Sequence, residues 1–455
     1  MAGSGMAEAP ERRADAPKVS AGPPSLAFLA IAMATMATVI DGVSITLALP
    51  ALVEAFGVPP GEAALVVTVS QLVIVALILP LSSLGDRFGY RTIFLASLGI
   101  CLPATLAAVL SPDLGWLLVA RAVQAVGLAG VMSVNFALVR SIYPAERIGR
   151  GVGNLATIVA LATAAGPALA GMILSVASWH WVLAMIMPLQ MAAIFAGALL
   201  LPAATPRKGG RTDAVGALLA AVMMSALILA PVALTGGWPA VTAAAALAVS
   251  LGTFLLLRRR LRDDPEPVFP FDLFRIRAFA TGIAASTAMF AAQFAAFVGI
   301  PFFFTAELGL SPLAQGLLFS TWPAAVAATA PFYGRLADRL PARPLCLISA
   351  LVLLVGLSLL ALTPRDASVL DVAWRLVICG LGFAGFQTPN NRLLVSVAPR
   401  HRSGAASGMM ATARQLGRAL GVAAAALLLT LPFGDARMIL WLAAALAGLA
   451  AVSRA

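Results

Sequence analysis

The feature that most constrains the fold of this chain is a succession of long apolar runs separated by short charged segments. A helix needs about 20 apolar residues to cross the hydrocarbon core of a bilayer, and this length rule predicts about fourteen transmembrane helices. The apolar runs begin near Ser25, Ala63, Thr92, Leu114, Gly149, His180, Ala214, Pro239, Phe279, Pro312, Pro344, Ser368, Ser403 and Ala436. We therefore expect an all-α membrane protein.

The composition agrees with a chain that lies mostly in lipid. Hydrophobic residues make up 61% of the chain and charged residues 11%, whereas soluble domains carry roughly a quarter charged residues. The formal net charge is +11, but the basic residues form short clusters between apolar runs and build no basic face. We therefore expect a lipid bilayer, and no nucleic acid, as a partner.

The distribution of basic residues predicts the orientation of the chain. If the N-terminus is cytoplasmic and the helices alternate in direction, 24 of the 30 Lys and Arg residues fall on the cytoplasmic side. Four lie within helices, and only Arg365 and Arg437 fall outside. Because cytoplasmic loops carry an excess of Lys and Arg, this split favours two cytoplasmic termini and a cytoplasmic Arg258–Arg262 cluster.

An internal repeat divides the chain. Four positions recur 255 residues later: Pro144 as Pro399, Gly149 as Gly404, Gly153 as Gly408, and Gly166 as Gly421. The repeat predicts two homologous six-helix halves, residues 25–202 and 263–455, with two linker helices in residues 203–262. We expect residues 1–24 to form a disordered cytosolic tail. Repeated halves place a substrate site at their interface, near the bilayer midplane.

Two charged loops occupy equivalent positions in the repeat. They read LSSLGDRFGYR and YGRLADRLPAR, and both resemble the loop motif after the second helix in the major facilitator superfamily. The resemblance implies a conformational gate that consists of Asp86, Arg87, Arg91, Asp338 and Arg339. An aspartate there can cap a neighbouring helix N-terminus and hold one half against the other. The alternative is a pair of ordinary charged loops.

Two further motifs lie in the N-terminal half. The segment LLVARAVQAVGLAG resembles the fourth-helix motif of the superfamily, and its Arg121 and Gln124 share a helix face. Because a lipid-facing Arg is costly, both side chains should point into protein or a cavity, unless Arg121 only holds backbone carbonyls. Gly166 and Pro167 resemble the fifth-helix antiporter motif. They imply a gating bend, and the alternative is a plain packing kink.

The first apolar run resembles one particular family within this superfamily. Ile40–Pro50 reads IDGVSITLALP and resembles the first-helix motif of the fourteen-helix drug:proton antiporters, and the likeness extends to about Gly421. It implies the major facilitator fold, with two six-helix halves and two extra helices between them. It also implies that a proton gradient, with no cofactor, drives export of a small amphipathic compound, either a drug or a secondary metabolite.

Asp41 is the candidate proton carrier, with Arg121 as its partner in coupling. It lies about 14 residues into the first helix, about 21 Å along the helix axis at ~1.5 Å per residue. This depth is past the middle of a hydrocarbon core of about 30 Å, where a carboxylate can take up and release a proton. Two alternatives stay open: Asp41 meets a cationic substrate directly, or it forms a permanent ion pair with a buried Arg.

Polar and aromatic residues inside the apolar runs are candidates for the wall of a substrate cavity. They are Gln124, Asn135, Gln293, Phe294, Phe297, Trp322, Phe386, Gln387 and Asn390. Helix packing is the alternative explanation for each of them. Arg414 and Arg418 share a helix face, and the related family usually has a small residue where Arg418 stands. A cation there favours an anionic or zwitterionic substrate, unless the side chain extends to the cytosolic surface.

Together these features predict a monomeric, proton-coupled antiporter of a bacterial inner membrane. The chain has no G-x-x-x-x-G-K-[ST] loop, so an ion gradient is the expected energy source. We find no clustered set of His, Cys or carboxylates for enzyme or metal chemistry. One rival is a facilitator or exporter of an anionic metabolite or lipid-like molecule without drug polyspecificity. The other rival is a membrane sensor or enzyme that transports nothing.

Overall fold

A computed structural model describes residues 24–144, 147–202, 214–235, 237–261, 271–399, 402–431 and 434–454. The predicted tail, apart from Pro24, lies outside these described residues, as does Arg262 at the end of the predicted basic cluster. All regular secondary structure in the described residues is helical.

The helices follow one another with short connections. The first eight, which we call the N-terminal half, are α1 (Pro24–Leu47), α2 (Leu49–Phe56), α3 (Pro60–Phe88), α4 (Tyr90–Val109), α5 (Leu114–Ile142), α6 (Ile148–Val176), α7 (Trp179–Ala184) and α8 (Met187–Leu200). The linker helices are α9 (Ala214–Thr235) and α10 (Ala240–Arg260). The C-terminal half comprises α11 (Arg277–Ala306), α12 (Pro312–Arg339), α13 (Ala342–Ala361), α14 (Val369–Val397), α15 (Ser403–Leu429) and α16 (Ala436–Val452).

Local sequence explains where several helices begin. The side chains of Asp113, Ser311, Ser368 and Asp435 each accept a hydrogen bond from the backbone N–H three residues later. These bonds satisfy a free donor in the first turn of α5, α12, α14 and α16. Proline stands in the first turn of α2, α3 and α12, where the backbone needs no N–H donor.

Eleven helical spans in the described residues are long and apolar enough to cross a bilayer, and one of them joins α7 and α8. Three of the predicted crossings fall outside this set. The helices α12 and α15 have 28 and 27 residues and are long enough to cross a bilayer. Their polar side chains are what leaves them outside this set. The helix α16 has 17 residues. The count of fourteen crossings stays a prediction.

The two halves meet along two seams. At one seam α6 packs against α12, and at the other α3 packs against α15. The linker helix α9 lies against both α3 and α15, and α10 packs on α9. Met224 and Ile228 of α9 share an apolar cluster with Val75 of α3 and Ala419 of α15. The linker helices therefore cover one of the two seams.

At one end of the bundle, which we call the closed end, the halves touch backbone to backbone. A Cβ atom at Gly171 of α6 would lie 2.5 Å from the carbonyl oxygen of Pro312 and 2.8 Å from Cα of Gly316 on α12. At the other seam, a Cβ atom at Gly61 would lie 2.4 Å from Cγ2 of Thr430. These glycines allow an approach that any larger residue would prevent.

The two arginines that the charge pattern leaves outside lie together at the closed end. Glu307, directly after α11, accepts a hydrogen bond from Arg365 Nε at 2.8 Å and from Arg437 Nη2 at 3.3 Å. The bond from Arg365, together with the charges of both arginines, holds the pKa of Glu307 below its usual value. Both arginines therefore have a carboxylate partner.

The opposite end, which we call the open end, is where the halves separate. The buried residues of α12 run from Gln315 to Pro323, and after them only Ala337 of this helix is buried. A Cβ atom at Gly153 of α6 or at Gly408 of α15 would meet nothing within 4 Å. The N-terminal part of α6 and the C-terminal part of α12 therefore diverge.

Both ends of the described chain lie at the open end. The ring of Phe28, near the start of α1, packs against Tyr143 at the end of α5, with 5.9 Å between ring centroids. Arg343, at the start of α13, donates from Nε to the backbone oxygen of Arg454 at 2.8 Å. The end of α5 therefore lies beside the first described residues, and the start of α13 lies beside the last ones.

Candidate functional site

A buried ion pair joins α1 to α5 inside the N-terminal half. Nη1 of Arg121 lies 2.7 Å from Oδ1 of Asp41, and the two residues are only 1% and 3% exposed. Arg121 Nη1 also donates to Gln124 Oε1 at 2.6 Å, and Gln124 Nε2 donates to Asp41 Oδ1 at 3.3 Å. The three-residue spacing of Arg121 and Gln124 puts both on the helix face that meets Asp41.

The second carboxylate oxygen of Asp41 is unused. Oδ2 is buried and has no hydrogen-bond partner among the described residues, and the same holds for Nε of Arg121. Next to Asp41, a Cβ atom at Gly42 would meet nothing within 4 Å, so open space adjoins this part of α1. Of the two sequence-based alternatives, the ion pair with a buried Arg is the arrangement present in this conformation.

A polar shell that the sequence analysis missed surrounds this pair. Gln124 Nε2 donates to Thr105 Oγ1 on α4 at 2.9 Å, and Gln190 Nε2 on α8 donates to the same oxygen at 3.1 Å. Gln190 also lies 3.4 Å from Cys101 Sγ. A buried Gln within an apolar run was the available signal for Gln190, whereas Thr and Cys are ordinary residues of membrane helices.

Gly166 and Pro167 of the predicted gate lie close to the same stretch of α1. Ser44 Oγ donates to the backbone oxygen of Gly166 at 3.0 Å. A Cβ atom at Gly166 would lie 2.5 Å from Cγ2 of Val43, so only glycine lets α6 approach α1 this closely. Pro167 adds a position without a backbone donor within α6. This contact involves Val43 and Ser44, two and three residues after Asp41.

Arg418 on α15 lies against aromatic side chains of α11. Its guanidinium carbon is 4.9 Å from the ring centroid of Phe294 and 5.5 Å from that of Phe290. Nη1 donates to Gln415 Oε1 at 2.9 Å, and Gln415 Nε2 lies 4.0 Å from Sδ of Met132 on α5. Arg418 therefore contacts α11 of its own half and is joined through Gln415 to α5 of the N-terminal half.

The aromatic surface continues deeper into the C-terminal half. The ring of Phe297 lies 5.5 Å from that of Phe294, 4.8 Å from that of Phe319 and 5.4 Å from that of Trp322. Trp322 is fully buried, and its Nε1 has no partner among the described residues. The structure thus brings together Phe294, Phe297 and Trp322 from the predicted cavity wall.

Other predicted cavity residues lie elsewhere. Asn135 Nδ2 donates to Thr35 Oγ1 at 3.0 Å, within the N-terminal half. Asn390 accepts a hydrogen bond from Arg454 and donates to the backbone oxygen of Gly282, so its amide is occupied by protein groups.

Four more predicted cavity residues show contrasting surroundings. Phe386 is buried in the core of the C-terminal half, and Gln293 is buried on α11. Gln387 on α14 and Arg414 on α15 are half-buried. Arg414 is one helical turn before Arg418 and so lies on the same side of α15.

The charged loops of the predicted gate make contacts within their own halves in this conformation. Tyr90 donates to Asp86, and Arg91 donates to the backbone oxygen of Ala198. Arg87 lies over the ring of Phe88 at 5.2 Å.

In the second loop, Asp338 pairs with Arg392 of α14, and Arg339 is exposed in the last turn of α12. These loops lie at the open end, where the halves are apart.

Comparisons with known proteins agree on the class of this chain. The family model described as Major Facilitator Superfamily matches residues 27–422. The uncharacterized transporter YebQ of Escherichia coli (strain K12) is 38% identical over 410 residues, which cover 90% of each chain. The riboflavin transporter RibZ of Clostridioides difficile (strain 630) is 26% identical over 398 residues, or 88% of this chain and 86% of that protein.

A third relative is named for drug resistance. The multidrug resistance protein Stp of Mycobacterium tuberculosis (strain CDC 1551 / Oshkosh) is 28% identical over 403 residues, or 88% of this chain and 74% of that protein. Among solved structures, the crystal structure of peptide transporter POT in complex with sulfate matches with a TM-score of 0.71. It is 17% identical and covers 95% of this chain and 93% of that chain, so the likeness concerns the fold alone.

Proposed function

The chain belongs to the Major Facilitator Superfamily, and we propose that it is a proton-coupled antiporter that exports a small amphipathic compound, a drug or secondary metabolite, from the cytoplasm. The proposal includes fourteen crossings in two six-helix halves and a linker pair, and a monomer in a bacterial inner membrane with both termini cytoplasmic. It assigns the energy to a proton gradient and requires no cofactor. The name of the relative Stp supports drug export as the activity.

The buried pair of Asp41 and Arg121 carries this proposal. Arg121 stays charged at any physiological pH, whereas Asp41 can be neutralised by a proton at its free Oδ2. A proton on Asp41 weakens its attraction to Arg121, because the charge of one partner disappears. Loading and release of one proton therefore changes the contact between α1 and α5, with Gln124 as the second donor to the same oxygen.

The contact between α1 and α6 connects the protonation of Asp41 to the closed end. Ser44, three residues after Asp41, donates to Gly166, and α6 packs against α12 at Gly171. A movement of α1 on protonation is therefore transmitted to α6, the helix that closes one seam. Gly166 and Pro167 supply the bend. Asp86, Arg87, Arg91, Asp338 and Arg339 hold the halves together when the open end closes.

A second candidate is a facilitator or exporter of an anionic metabolite or lipid-like molecule. Two arginines, Arg414 and Arg418, take part in none of the ion pairs formed by the described residues, and this observation favours an anionic cargo. The relative RibZ is named a riboflavin transporter, so drugs are not the only cargo named among relatives.

Transport by the purified protein in lipid vesicles tests the proposal. A screen in an efflux-deficient bacterial host first identifies a compound to which the wild-type chain gives tolerance. An imposed proton gradient should then drive this compound in the direction opposite to the protons. Asp41→Asn should abolish gradient-driven transport, whereas Asp366→Asn, which alters an exposed loop carboxylate, should keep the wild-type rate.

Two outcomes would contradict this function. Gradient-driven transport by Asp41→Asn at the wild-type rate would exclude Asp41 as the proton carrier. Movement of the compound that ignores the proton gradient would favour the facilitator. Detergent-solubilised Asp41→Asn should elute as wild-type protein does on size exclusion, so that a loss of transport is separated from a loss of folding.

A further inference from the structure

Arg418 is a cation in the interior without a counter-ion from the described part of the chain. None of the ion pairs among the described residues includes Arg418 or Arg414. Nη1 of Arg418 donates to the neutral amide of Gln415, and Nε is buried without a partner. An unpaired charge inside a membrane protein is costly and usually marks a functional site.

Two buried aromatic rings hold the guanidinium of Arg418. Phe290 and Phe294 are four residues apart on α11, so both rings lie on one face, and both contact the guanidinium. A guanidinium over an aromatic ring is held without losing all of its hydrogen-bond donors. Both rings are almost fully buried, at 4% and 6% exposed, so they hold the guanidinium in place while its remaining donors stay available to an acidic group.

The position of Arg418 fits a substrate that enters from the open end. Gln415 lies beside Met132, which is eight residues, or about 12 Å, further along α5 than Gln124. Arg418 is three residues, or about 4.5 Å, nearer the closed end than Gln415. Arg418 therefore lies between the Asp41 pair and the open end. Arg414 is about 6 Å nearer the open end than Arg418.

We infer that the exported compound carries an acidic group. Arg418 binds the acidic group, Arg414 attracts it on its way in, and Phe290 and Phe294 hold the Arg418 guanidinium in place. Asp41 does not compete for a cationic substrate in this conformation, because Arg121 already pairs with it. The inference rests on the proposed function for the export step, and it specifies the class of cargo.

Three probes with one ring system and different charges test this inference. They are 1-naphthoate, the neutral 1-naphthamide and the cation 1-naphthylmethylammonium. Equilibrium binding to the full chain in detergent should rank the acid first, the amide second and the cation last. Tighter binding of the cation than of the acid, or no binding of the acid at millimolar concentration, would overturn the inference.

Variants of Arg418 connect the ranking to this site. Arg418→Gln should weaken binding of 1-naphthoate about tenfold to a hundredfold, because a charge-assisted hydrogen bond is lost. It should change binding of 1-naphthamide little. Arg418→Lys keeps the charge without the planar fork and should give an intermediate affinity. The control Arg259→Gln removes an exposed arginine at the end of α10 and should leave binding unchanged.

Failure of this inference can be distinguished from failure of the proposed function. Arg418→Gln removes an unpaired, half-buried charge, so its thermal stability should equal or exceed that of the wild type. Wild-type affinity of Arg418→Gln for 1-naphthoate would refute the inference even if another compound shows proton-driven, Asp41-dependent export. Conversely, Arg418-dependent binding of the acid without any effect of a proton gradient on transport would keep this inference and refute proton coupling.

Discussion

At the scale of single residues, the important feature is the asymmetry of the buried pair. Oδ1 of Asp41 accepts from both Arg121 and Gln124, while Oδ2 stays free among the described residues. An arginine keeps its positive charge in a protein. The loss of Asp41 therefore leaves a permanent buried cation, which Gln124 alone must then stabilise.

We predict that loss of one partner of this pair costs more stability than loss of both. Asp41→Asn or Arg121→Gln alone should lower the free energy of unfolding by about 3 kcal/mol, because each breaks a buried ion pair. The double variant should regain most of that loss. Thermal unfolding of the four proteins in detergent forms the double-mutant cycle. Strictly additive losses would contradict an ion pair between these two residues.

At the scale of helices, the seams explain both the polar helices and the glycines. The helices α12 and α15 are less apolar than the eleven spans described above. Each of them packs at a seam, where polar side chains can face protein or a cavity. Glycine at the closed end lets α6 and α12 pack at backbone distance. The same helix α6 carries Gly153 towards the open end, where space surrounds it.

We predict that Gly171→Leu opens the closed end. A side chain there overlaps the backbone of α12 at Pro312 and Gly316, so it destabilises this conformation relative to one with separated helices. Spin labels at Val176 and Leu313, both exposed, should move apart in this variant. Gly153→Leu on the same helix has open space and is the control. An unchanged distance distribution in Gly171→Leu would show that the seam is not sealed at this glycine.

At the scale of the whole molecule, the charged residues and the open and closed ends are arranged along the same axis. The open end holds both described termini and the end of α10, since Leu257 shares an apolar cluster with Leu394 near the end of α14. The closed end holds Arg365 and Arg437, both bound to Glu307. Because basic residues favour the cytoplasmic side, we expect this conformation to open towards the cytoplasm and accept its cargo there.

Cysteine labelling in intact cells tests this orientation. The three native cysteines are buried, so an introduced exposed cysteine should dominate the signal. A membrane-impermeant maleimide should label Leu362→Cys, which follows α13 at the closed end, in intact cells. It should label Arg259→Cys at the end of α10 only after the membrane is permeabilised. The reverse pattern would place the open end outside and would also reverse the proposed direction of transport.

The sequence by itself determined the helices and the rare charges within them. The expected starts at Leu114, Pro312, Ser403 and Ala436 coincide with those of α5, α12, α15 and α16. This agreement has a physical reason: lipid offers no hydrogen-bond partners, so each apolar segment must satisfy its own backbone as a helix. Asp41 was recognisable for a similar reason, because a carboxylate in such a segment needs a function or a partner.

Only the tertiary structure decided which side chains meet and which end is closed. Thr105 and Gln190 reach Gln124 through the packing of α4, α5 and α8, which the pattern of any single helix does not encode. Asn390, expected at a cavity wall, instead bonds with Arg454, 64 residues away. Local periodicity specifies a helix because its hydrogen bonds are local. Side-chain partners and the closed seam arise from segments far apart in sequence, and a transporter sequence supports more than one packing of them.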